Sequence, residues 1–87
     1  MTQQESTPTE ALVFDVLRSV SRRPIAPTLE SDLVTDLGFD SLQVLELIAE
    51  LEDRFDISIP LNDVPATRKV AQVVAQVTRL VAERTTA

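Results

Sequence analysis

The sequence predicts an all-α fold: a small bundle of three main helices plus a short fourth, with a long loop between the first and second. Two observations lead there. Three stretches repeat apolar residues at helical spacing, and the single glycine and four of the five prolines fall between those stretches. With 87 residues, 44% of them hydrophobic, the chain can build one domain around one core. A domain of this size buries only about 60–65% of its unfolded surface, so a modest margin of stability is expected.

Residues 1–7 read as a flexible polar N-terminus, 8–84 as the folded domain, and 85–87 as a frayed C-terminus. Thr7-Pro8-Thr9-Glu10 opens the first helix: Thr7 as cap, Pro8 at the first helical position, Glu10 completing a capping box. Val13, Val16, Leu17 and Val20 then form one apolar stripe, and Arg22 and Arg23 suit the negative pole of the helix. Pro24 and Pro27 end it, and a connection runs to Asp40, with Leu29, Leu33 and Leu37 expected to pin it to the core. Gly38 marks a turn with positive φ.

Ser41 to Phe55 is the second helix, rich in Leu, Glu, Ala and Gln. Ile57-Ser58-Ile59-Pro60 is an extended exit with both isoleucines on one side. Pro60 to Ala66 leaves room for about one turn, the short fourth helix. Thr67 caps the last helix, whose face is Val70, Val73, Val74, Val77, Leu80 and Val81. Valine is a poor helix former, so this helix depends on packing.

The chain contains no histidine and no cysteine. Disulfides and thiolate metal sites are therefore impossible, which fits a reducing cytoplasm. No EF-hand pattern surrounds Asp36 and Asp40, and no metal site is expected. The first nine residues lack the apolar run of a signal peptide, and no stretch approaches the ~20 residues of a membrane span. From Glu30 to Asp63 stand ten acids against Arg54 alone, a segment of net −9 in a chain of net −6. That field repels nucleic acid and anionic lipid and favours partners with basic surfaces. The same crowding predicts carboxylates that, on balance, titrate above their unfolded values.

Around the 41–55 helix, Val44, Leu47, Ile48, Leu51 and Phe55 fall in one ~100° arc, the core face. Leu42, Leu45 and Ala49 fall opposite, among Glu46, Glu52 and Asp53. Apolar residues ringed by acids suit docking by a partner with an apolar centre and a basic rim. The alternative is that Leu42 and Leu45 pack beneath the long loop. Ser41 begins this helix beside Asp40, and either residue can serve as its N-cap. With no imidazole to activate it, the Ser41 hydroxyl is suited to being modified rather than to catalysis, so no catalytic residue is assigned. An anion attached there gains from the helix N-terminus, although Asp40 repels it.

These residues resemble the acyl carrier protein family. The matching run is Asp36-Leu37-Gly38-Phe39-Asp40-Ser41-Leu42, followed by Leu45-Glu46-Leu47-Ile48, then Leu51-Glu52-Asp53-Arg54-Phe55-Asp56 and Ile59-Pro60. Asp-Ser-Leu alone is uninformative; with the glycine three residues earlier, the acidic helix and the Ile-Pro exit, the combination is specific. The resemblance spans roughly residues 9 to 83, and about 25 positions closely. It implies that a phosphopantetheinyl transferase attaches 4′-phosphopantetheine from coenzyme A to Ser41 through a phosphodiester. The arm's thiol then holds acyl groups as thioesters, which explains how a chain without cysteine handles thioester chemistry. It further implies that Asp40 and Leu42 flank the serine in the transferase's grip, and that Leu45, Glu46, Ala49, Glu52 and Asp53 face the acyl-loading and synthase partners.

Departures from the family bear on the pathway. Gln43 and Val44 replace residues that are polar in fatty-acid carriers, Arg54 interrupts the acidic run, and Leu61 to Thr67 lacks the usual acid-rich short helix. These differences favour a specialised, freestanding carrier for a polyketide, lipid or fatty-acid pathway. Met1 and the capped start at Thr7 suggest a discrete protein, with a carrier domain cut from a larger synthase as the alternative, and a cytoplasmic monomer is expected. Peptidyl or aminoacyl carriers are the alternative, which Phe39-Asp40 fits poorly; a helical interaction module of the same fold that bears no arm is another.

Overall fold

The computed structural model describes residues 8–60 and 68–85. Within them lie three helices: α1 (Pro8–Val20), α2 (Ser41–Phe55) and α3 (Val70–Thr85). The three-helix architecture and the long 1–2 connection are as the sequence predicts. The short fourth helix, and the caps expected from Thr7 and Thr67, lie outside the described residues. No strand occurs among the described residues; Asp32 and Lys69 form an isolated antiparallel bridge.

Each helix turns its valine or leucine stripe inwards. Val13, Val16 and Leu17 of α1, Leu47, Ile48 and Leu51 of α2, and Val70, Val73, Val74 and Val77 of α3 form one buried cluster. Val20, Val44, Phe55, Leu80 and Val81 pack against it while remaining partly exposed. The isoleucines of the exit do the same job on one side, Ile59 buried and Ile57 half-buried against the core.

Two of the three leucines expected to pin the long connection do so, and the third does not. Leu33 and Leu37 are buried, but Leu29 is 36% exposed. Its place is taken by Phe39, 1% exposed and the largest fully buried side chain. Burying such a side chain contributes about 1.5–3 kcal/mol, so Phe39 anchors the end of the connection directly before the 41–55 helix. Leu29 contributes through its backbone, where its carbonyl accepts the Ala71 N–H at 2.9 Å. Ser31 accepts from Val70 N–H at 3.0 Å, and Leu33 N–H donates to the Arg68 carbonyl at 2.8 Å. The Val70 and Ala71 bonds satisfy amide donors that the first turn of α3 would otherwise leave unpaired. The Gln72 side chain does the same for the Arg68 and Lys69 N–H groups, at 2.7 and 2.9 Å.

Asp32 organises the middle of the connection. Its Oδ1 accepts the N–H groups of Val34 and Thr35, both at 2.9 Å, while Asp36 accepts the Asp32 N–H at 2.7 Å. The Thr35 and Val34 amides hold the Asp32 carboxyl below its ordinary value, with Arg68, 3.7 Å away, adding a smaller pull. At this one residue of the acidic segment, specific donors outweigh the diffuse repulsion of its neighbours. Because its folded value lies below the unfolded ~3.9, the charge contributes stability above that pH and loses it as pH falls through the folded value. Asp32→Asn, which keeps an acceptor and removes the charge, is expected to melt below the wild type at pH 7. That gap should narrow as pH falls below the unfolded ~3.9, and thermal melts across that range measure it; a gap of constant size would refute the assignment.

Candidate modification site at the start of the second helix

The turn before α2 closes on Gly38, at φ +74°, whose N–H donates to the Val34 carbonyl at 3.0 Å. This is the left-handed geometry that glycine adopts without steric cost. Absence of a side chain has a second use here. A Cβ on Gly38 would lie 2.5 Å from a terminal nitrogen of Arg23, so the guanidinium occupies the space a side chain would need. Phe39 then plunges into the core, its N–H bonded to the Leu33 carbonyl at 2.9 Å. Asp40 and Ser41 come back out to solvent.

Asp40, not Ser41, caps the helix. Its Oδ1 accepts the Gln43 N–H at 2.8 Å, and the Gln43 side chain accepts the Asp40 N–H at 3.3 Å, a reciprocal capping box. Gln43 is accordingly buried. The second carboxylate oxygen of Asp40 faces Arg22, 4.0 Å away. Ser41 is thus left in the first helical turn with an exposed side chain and no capping duty. A primary hydroxyl that projects from a rigid helix start, with open approach, fits attachment of a phosphodiester-linked arm. It does not fit nucleophilic catalysis, because the chain supplies no imidazole or thiol.

Leu42 and Leu45 stand 55% and 50% exposed, which removes the alternative that they pack beneath the connection. Ala49, Glu46 and Asp53 are exposed too, and their spacing puts them with Leu42 and Leu45 on one side of α2. Glu52 stands apart. It is half-buried, and its Oε2 accepts the Ile59 N–H at 2.8 Å, so one oxygen of this acid holds the exit segment. Arg54 pairs with Glu50 at 3.1 Å, away from the open leucines. Among the described residues no group of three or more His, Cys, Asp or Glu is placed to hold a metal ion, and no helix is long and apolar enough to cross a membrane.

Three features of the site escaped the sequence reading. The Asp40-to-Gln43 capping box was legible as an acid followed three residues later by glutamine. Burial of Phe39 had no periodic signal, because it lies outside any helix. The approach of Arg22 and Arg23 to Asp40 and Gly38 joins residues far apart in sequence, and local pattern carries no trace of it.

Residues 11–77 match the family model described as "Phosphopantetheine attachment site". The acyl carrier protein of Amoebophilus asiaticus is 41% identical over 75 residues, covering 83% of this chain and 91% of that protein. The acyl carrier protein of Campylobacter curvus is 38% identical over 73 residues, covering 78% and 95%. A solved structure assigned as an acyl carrier protein, from Mycobacterium tuberculosis, superposes with a TM-score of 0.77 at 37% identity, covering 80% of this chain and 95% of that one.

Proposed function

Because the chain belongs to the acyl carrier protein family and its phosphopantetheine attachment domain, we propose that Ser41 is the residue that bears the arm. The chain is a carrier rather than an enzyme, its cofactor is covalent 4′-phosphopantetheine, and the role implies a transferase and acyl-handling enzymes as partners. The arm supplies the thiol on which acyl groups ride as thioesters. The observation that supports Ser41 is its exposure in the first turn of α2, freed from capping by Asp40. Attachment joins its Oγ to the pantetheine-bearing phosphorus of coenzyme A and breaks that phosphorus's bond to the bridging oxygen, which leaves with adenosine 3′,5′-bisphosphate. The hydroxyl proton leaves to a base in the complex with the transferase. Incubation with coenzyme A, magnesium and a phosphopantetheinyl transferase should add one arm per chain, read by intact mass. No mass gain would remove the assignment.

Residues 8–84 form the carrier domain in this reading, and the docking face is Asp40, Leu42, Leu45, Glu46, Ala49 and Asp53, with Glu52 at its edge. Two half-exposed leucines among acids match enzymes that present an apolar centre and basic rim. Association with such an enzyme should weaken as salt rises past ~0.15 M, where the Debye length is about 8 Å. Glu46→Lys should slow association by roughly 3–10-fold while changing dissociation less, measured by stopped-flow or surface plasmon resonance. A salt-independent association rate would contradict this picture. We assign the carrier to a specialised polyketide, lipid or fatty-acid pathway and to a monomeric, cytoplasmic life, on the strength of Gln43, Val44 and Arg54 and the absence of cysteine.

A further inference from the structure

We propose that Arg22 and Arg23 form a built-in cradle for the phosphodiester of the arm. The inference rests on Ser41 as the attachment site and adds what the chain itself does with the charge that attachment creates. Modification turns a neutral hydroxyl into a monoanion one residue from the Asp40 carboxylate. Like charges so close on a helix start oppose one another, whatever the dipole offers either of them.

The two arginines answer that problem from a different part of the chain. α1 ends at Val20, and the two residues beyond Ser21 turn towards the start of α2. Arg22 reaches within 4.0 Å of the Asp40 oxygen that the cap does not use, at the limit of an ion pair, with both side chains about 60% exposed. A guanidinium so loosely engaged keeps donors free for a second anion. Arg23 lies over Gly38 in the space a Cβ would take, three residues before Ser41. Ser21, Arg22, Arg23, Leu37, Gly38 and Gln43 line a shallow groove between these elements. A groove lined by two arginines, whose planar forks are permanently charged, suits a phosphate oxygen pair, which guanidinium binds in bidentate fashion. The ligand it fits is a phosphodiester held close to the helix start; Arg22 bridges that anion to Asp40 and cancels their repulsion.

The test compares apo and holo protein in the wild type, Arg22→Gln, Arg23→Gln, and Arg79→Gln as a distant control whose ion pair with Glu83 lies on α3. Each is loaded to completion with excess transferase and checked by intact mass. Holo and apo wild type should melt within about 1 °C of one another, whereas the holo forms of Arg22→Gln and Arg23→Gln should melt about 2–4 °C below their own apo forms. Arg79→Gln should behave as the wild type. The phosphorus-31 resonance of the holo protein should move on either cradle substitution, and the difference should shrink at high salt. Identical apo–holo differences and identical phosphorus shifts across all four proteins would overturn the cradle and leave Ser41 standing. Failure of the wild type to gain any mass would instead overturn the attachment site on which the cradle rests.

Discussion

Ser41→Ala is expected to take up no arm while melting within about 2 °C of the wild type. The two halves of this result come from separate features of the same turn. The hydroxyl is the only part of residue 41 that the proposed chemistry uses, and alanine removes it. The cap of α2 stays, because Asp40 accepts the Gln43 amide and Gln43 accepts in return. Alanine is also a good helix former at an exposed position. Asp40→Ala supplies the contrast: loss of an N-cap costs about 0.5–2 kcal/mol, and the charge that faces Arg22 goes with it. Intact mass after loading and a thermal melt separate the two residues. Normal loading of Ser41→Ala would show that another hydroxyl bears the arm; a large loss of stability would show that Ser41, and not Asp40, holds the helix start.

Phe39→Ala should be the most destabilising single change near the site. Truncating a fully buried phenylalanine costs about 3–5 kcal/mol, the transfer term plus a cavity. A chain of 87 residues has a total stability of only about 4–13 kcal/mol at the usual value per residue. The variant is therefore expected to melt at least about 12 °C below the wild type, or to be largely unfolded at 37 °C. The effect should reach function too. Phe39 is the last fixed point before Asp40 and Ser41, and its N–H bond to Leu33 sets where the chain leaves the core. Phe39→Leu, a smaller loss of volume, should retain both fold and loading, and so isolates packing from any role of the ring itself. A melting point within about 4 °C of the wild type for Phe39→Ala would mean that the connection is held mainly by its backbone bonds to α3.

How legible the molecule was depends on how far each cause acts along the chain. The bounds of α2, the glycine turn and the exposed serine all arise within a few residues, and the sequence predicts each of them. The core faces of the three helices follow from spacing alone. Leu29 and Phe39 exchange roles because no period governs an irregular connection; a leucine there reads as core whether or not it points inwards. Glu52 reads as part of an acidic face, yet its carboxylate turns to the Ile59 amide, seven residues on and beyond the helix end. Asp32 reads as one of ten repelling acids until the amides of Val34 and Thr35 are seen around it. In every case the missing information is a partner that the local pattern does not name.

The bonds between residues 29–33 and 68–71 carry a consequence for the order of folding. They join segments nearly forty positions apart, so forming them requires closing a large loop that contains all of α2. Local helix formation takes about a microsecond or less, whereas pairings of high sequence separation wait for the chain to come round. The serine's helix and its local turn can thus exist before residues 29–33 are tied down. On a growing chain, α1 and α2 emerge well ahead of α3, so residues 29–33 gain their bonds to 68–71 only when the last helix arrives. The segment that leads into the proposed attachment site is in this sense tied down from the far end of the sequence.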